Sequence, residues 1–103
     1  MTTAPADTAS RQTLALVIPV FNEEAVVPLL LAEIAAFRAT RPDVTQVVFI
    51  DDGSEDATVR LLQEGIAGLP GYWIVRFSRN FEHHLAITAG LGVVDADAAV
   101  ILD

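Results

Sequence analysis

The stretch Val47–Ile66, VVFIDDGSEDATVRLLQEGI, decides the fold. Val47 to Ile50 is an unbroken apolar run, as in a strand buried on both faces of a parallel sheet. It ends abruptly at Asp51-Asp52, and Gly53-Ser54 turns the chain. Val59, Leu62 and Ile66 then recur at helical spacing up to Gly68. Strand, polar turn and helix in so short a span are the repeating unit of an α/β protein, so the same unit is sought on either side.

Upstream, Leu14 to Phe21 is a second nearly continuous apolar run, and Asn22 follows as a helix-capping residue. From Glu23 the spacing becomes helical, with Val26, Val27, Leu30, Leu31, Ile34 and Phe37 on one stripe until Arg41-Pro42 stops it. Downstream, Tyr72 to Phe77 reads as a strand, His83 to about Val94 as a helix, and Ala98 to Leu102 as a buried fourth strand. The order β-α-β-α-β-α-β with short connections predicts an open parallel sheet of about four strands with helices on both faces. Residues 1–12 are small and polar and read as a disordered leader, leaving 13–103 as the folded part. The last strand has no helix after it to cover it, so a longer protein is expected.

Composition narrows the function. The chain carries 14 acidic and 6 basic residues, a formal charge of -8, and all the basic residues are arginine. Such a surface repels phosphate backbones and argues against nucleic-acid binding. Anionic ligands need a metal ion or a few placed arginines. With no cysteine, disulfides, thiolate metal sites and cysteine nucleophiles are excluded.

In open parallel sheets ligands bind beyond the carboxyl ends of the strands. Those ends are polar here: Phe21-Asn22-Glu23-Glu24, Asp51-Asp52-Gly53-Ser54, Ser78-Arg79-Asn80 and Asp103. A strand-end aspartate can cap the next helix, or it can accept hydrogen bonds from a ribose or a base, and both readings are open for Asp51 and Asp52. No G-x-G-x-x-G follows the first strand, which argues against a nicotinamide dehydrogenase. Glu23, Asp52 and Asp103 share one rim and could help hold a divalent cation. Arg79 either pairs with Asp51, Asp52 or Glu82 or meets a phosphate. His83 and His84, adjacent on a helix, point about 100 degrees apart and suit capping or packing better than joint ligation.

Four blocks, LVIPVFNEE, VVFIDDGSEDAT, VRFSRNFEHHLAITAGL and AAVILD, covering nearly everything from Leu14 to Asp103, resemble the sequential motifs of family 2 glycosyltransferases. The SRNF block and the following A-x-T-A-G-L look most like the branch that loads sugars onto polyprenyl phosphates. The resemblance implies the nucleotide-binding half of a GT-A, Rossmann-like fold with strand order 3-2-1-4. It implies a nucleotide pocket lined by Pro19, Phe21 and Glu23, with Asp52 on the base or ribose. Asn22 and Arg79 complete the expected nucleotide-binding set. Asp103 would open a D-x-D motif for Mg2+ or Mn2+, whose second aspartate would fall two residues further on, so these residues alone should hold metal and diphosphate poorly. The donor would be a UDP- or GDP-sugar, transferred with inversion to a polyprenyl phosphate at the cytoplasmic face of the membrane. The acceptor site would lie in a C-terminal part outside this chain, and no catalytic base is assigned. Glu82 stands where the branch commonly has glycine, and His84 where glutamine or glutamate is frequent. The alternative within the family is transfer to a polysaccharide or other hydroxyl acceptor. More distant alternatives are a non-catalytic nucleotide-binding module and a receiver-like signalling domain, which carries its acidic pair after the first strand and a later lysine, unlike this chain.

Overall fold

The computed structural model describes residues 12–77, 94 and 96–102. Four strands, β1 (Leu14–Val20), β2 (Val44–Asp51), β3 (Tyr72–Arg76) and β4 (Ala98–Ile101), form one parallel sheet in the order β3-β2-β1-β4. Helix α1 (Val27–Thr40) joins β1 to β2, and α2 (Thr58–Ile66) joins β2 to β3. The parallel α/β architecture and the strand order match the sequence reading. Neither helix among the described residues is long and apolar enough to cross a membrane.

Side-chain alternation sorts the two faces of the sheet. Leu16, Ile18 and Val20 of β1 and Val47 and Phe49 of β2 pack with Val27 and Ile34 of α1 and Leu62 of α2. The intervening Val17, Val48 and Ile50 form a second cluster on the other face, against Val75, Phe77 and Val94. The two described helices thus cover one face. The helix expected over 83–94 lies, except for Val94, outside the described residues.

Three details depart from the sequence reading. The first helix begins at Val27 rather than Glu23, because residues 22–24 are held in cross-loop hydrogen bonds described below. Val26 and Phe37, expected in its buried stripe, are exposed beside Leu29, so apolar residues lie on both sides of α1. The fourth strand, expected to be buried, is exposed along its length, and none of its residues joins either core cluster.

At the amino ends of the strands Arg38 ties three segments together. Its guanidinium lies 4.9 Å from the centre of the Tyr72 ring and donates to the carbonyls of Val44 and Pro70. The polar strand ends lie at the opposite edge of the sheet.

Candidate functional site

The parallel pairing of β1 and β2 sets Val20 opposite Asp51, so both strands deliver their following loops to the same edge. Asp51 faces the helix layer with Val20 and is fully buried. Its carboxylate accepts the amide of Gly53 at 3.3 Å, the amide of Ser54 at 3.0 Å and the hydroxyl of Ser54. Gly53 has φ of 91°, a conformation that carries no penalty for glycine and lets the turn fold back onto Asp51. Asp51 is therefore a structural residue that caps the turn, the capping alternative of the sequence reading. Asp52 is also buried, at 8% exposure, and its amide donates to Val20 O at 3.2 Å. By alternation it is directed away from the helix layer.

The two loops are clasped. Backbone amides of three successive residues of the first loop donate to side chains of the second: Asn22 to Ser54 Oγ at 2.8 Å, Glu23 to Thr58 Oγ1 at 2.8 Å and Glu24 to Asp56 Oδ2 at 3.2 Å. In return, the amide of Glu55 donates to Asn22 Oδ1 at 2.8 Å and that of Ala57 to Glu24 Oε1 at 2.9 Å. Asn22 adopts φ of 49°, the left-handed region that asparagine tolerates better than most residues. It is a cross-loop brace and does not cap α1, whose N-cap is Val26.

The expected nucleotide-binding residues distribute as follows. Pro19 and Glu23 line a groove of about 330 Å³ together with Ile18, Val26, Leu30 and Leu102. Phe21 is 39% exposed at the mouth of the same edge. Asn22 and Asp52 lie on the two clasped loops. Arg79 and Asp103 fall outside the described residues, as do Glu82, His83 and His84. Among the described residues no three acidic or histidine side chains gather closely enough to hold a metal ion. Glu23 and Asp52 therefore do not build a cation site with their described neighbours.

Glu24, Ser54, Asp56 and Thr58 were not singled out as partners by the sequence. Their signal was the alternation N-x-E against S-x-D-x-T, which reads locally as helix capping. Nothing local indicates that the partners lie 32 to 35 residues away.

Electrostatics follows from the clasp. Partial desolvation pushes the Asp56 carboxyl up, but hydrogen bonds from the Thr58 hydroxyl and amide and from the Glu24 amide outweigh it and hold the pKa below the ordinary carboxylate value. Asp43 is likewise held low, chiefly by hydrogen bonding from Arg41 at 2.6 Å. A depressed folded-state pKa contributes stability above the unfolded value, about 3.9, and that contribution is lost as pH falls through the folded value. Thermal denaturation between about pH 5 and 2 should show the melting temperature falling with acid, less steeply in Asp56→Asn. Superimposable curves for the two proteins would remove Asp56 from the acid response.

Comparison with known proteins adds the following. Residues 15–103 match the family model described as Glycosyl transferase family 2. A bactoprenol glucosyl transferase of Shigella phage SfV is 36% identical over 90 residues, covering 87% of this chain and 29% of the relative. An undecaprenyl-phosphate 4-deoxy-4-formamido-L-arabinose transferase of Pseudomonas fluorescens (strain Pf0-1) is 39% identical over 90 residues, covering 85% of this chain and 26% of the relative. A prophage bactoprenol glucosyl transferase homolog of Escherichia coli (strain K12) is 34% identical over 90 residues, covering 87% and 29%. The chain thus spans less than a third of the length of these relatives.

Proposed function

The chain belongs to glycosyl transferase family 2, and on that premise we propose that it forms the nucleotide-binding part of an enzyme that transfers a hexose from a nucleotide-diphosphate sugar to a polyprenyl phosphate. The observation that carries this reading is the carboxyl edge of the parallel sheet. There β1 and β2 present Glu23 and Asp52 on two loops clasped to each other, where an α/β sheet receives its ligand. The names of the relatives, bactoprenol and undecaprenyl-phosphate sugar transferases, support the acceptor class.

In this proposal Asp52 accepts hydrogen bonds from the base or ribose. Pro19, Phe21, Asn22 and Glu23 frame the nucleotide from the first loop, and Arg79 meets the diphosphate. An acceptor phosphate oxygen attacks the anomeric carbon as the bond to the diphosphate oxygen breaks, so the configuration inverts and a nucleoside diphosphate leaves. An anionic phosphate acceptor needs little general-base help. The residues of this chain contribute by binding and orienting the donor. A divalent cation, Mg2+ or Mn2+, is part of the proposal with Asp103 as its first ligand, and it would screen the charge on the departing diphosphate. A lipid-linked acceptor would put the reaction at a membrane surface, which we assign to the cytoplasmic face.

The test is calorimetric titration of the full-length protein with UDP-glucose and GDP-mannose, with and without Mn2+. Saturable binding of one donor, tightened by the metal, is expected. A folded protein that binds neither under any condition would overturn the assignment of these donors.

A further inference from the structure

The clasp does more than close a turn. The two apposed loops, residues 22–24 and 51–58, carry Glu23, Glu24, Asp51, Asp52, Glu55 and Asp56 with no basic residue among them. Like charges at this spacing push the loops apart. What opposes the repulsion is an alternating set of charge-assisted and neutral hydrogen bonds. In these, each loop's side chains take up the other loop's amides, at 2.8 to 3.2 Å. Glu24 takes part twice, through its own amide to Asp56 and through its carboxylate to the Ala57 amide at the N-cap of α2. Its neighbour Glu23 shares only its amide with the clasp through these five bonds, and its side chain lines the groove beside Pro19.

From this geometry, and resting on the donor-binding reading above, we propose that Glu24 is a positioning residue for the donor site. Its carboxylate sets the separation between the loop that presents Glu23 and the loop that presents Asp52, without itself touching the nucleotide. A ligand spanning both loops binds best when their spacing is already correct, because the binding step then orders less. Removing the bridge leaves both contact residues intact and lowers the fraction of molecules in the competent spacing, which weakens apparent affinity by that fraction.

The experiment measures the dissociation constant of the full-length protein for whichever of UDP-glucose and GDP-mannose it binds, with Mn2+, at a temperature well below each variant's melting point. Glu24→Ala is expected to bind about tenfold more weakly. Glu24→Gln keeps an amide oxygen that still accepts from Ala57, so it should bind within about twofold of wild type. Hydrogen exchange at the Ala57 amide should accelerate in the alanine variant and not in the glutamine variant. If the alanine variant does not fold, Glu24→Asp, one methylene too short to reach Ala57, takes its place with the same expected weakening. Wild-type affinity in the alanine or aspartate variant overturns the positioning role. Equal loss in Glu24→Gln also overturns it, because the charge itself would then be meeting ligand. Wild-type protein that binds neither donor overturns the assignment of these donors, and a positioning role toward them with it.

Discussion

Asp51→Ala should destabilise the protein by about 3 to 4 kcal/mol in urea unfolding at neutral pH. The Asp51 carboxylate has no solvent exposure and receives the amides of Gly53 and Ser54 and the hydroxyl of Ser54, itself only 6% exposed. Alanine leaves those donors facing a small cavity, and each buried unsatisfied donor costs about 1 to 3 kcal/mol, of which rearrangement of the turn recovers a part. Against a total stability of about 5 to 15 kcal/mol the loss is large. Asp51→Asn keeps one acceptor oxygen and should lose roughly half as much. A change below about 1 kcal/mol in Asp51→Ala, with an unaltered denaturant slope, would show that the turn holds without its cap.

The adjacent Asp52→Ala is expected to act on binding. If Asp52 accepts hydrogen bonds from the ribose or base, deleting it removes charge-assisted bonds worth about 1.5 to 3 kcal/mol, a loss of roughly 10- to 100-fold in donor affinity. Calorimetric titration of the full-length protein with its donor measures this directly, and a melting temperature taken in parallel separates loss of binding from loss of fold. Unchanged affinity in a folded Asp52→Ala protein would remove Asp52 from the nucleotide contacts. The geometry gives Asp51 its capping role, and the ligand contact is proposed for Asp52 alone. Asp51 stands opposite Val20 and faces the helix layer, and Asp52, one residue on, leaves the sheet toward the other side.

Much of this was legible beforehand. The buried strands were visible because short, β-branched apolar runs such as Val47–Ile50, bounded by a turn, suit a sheet covered on both faces, and the Phe49 and Ile50 side chains are fully buried. Helix α2 was visible from Val59, Leu62 and Ile66, and the first two are buried as that spacing requires. The polar strand ends point to the carboxyl edge, and the family motifs supplied the strand order 3-2-1-4 that pairing confirms. Less legible was the division of labour within the acidic pair, for which the sequence left capping and ligand contact open on both residues.

The sequence by itself determined the described strands and helices, their parallel arrangement and the polar character of the carboxyl edge. These follow from periodicity and from the strand-turn-helix grammar, which act over a few residues. Tertiary structure alone decided that Asn22 braces the second loop instead of starting a helix, and that Glu24 reaches Ala57. It also decided that Val26 and Phe37 stay exposed and that no residue of the fourth strand joins the core clusters. The two loop contacts depend on partners 33 residues away, and exposure depends on which faces the neighbouring elements cover. A hydrogen bond between distant loops is chosen by where the sheet delivers them, and local sequence preference carries no record of that placement.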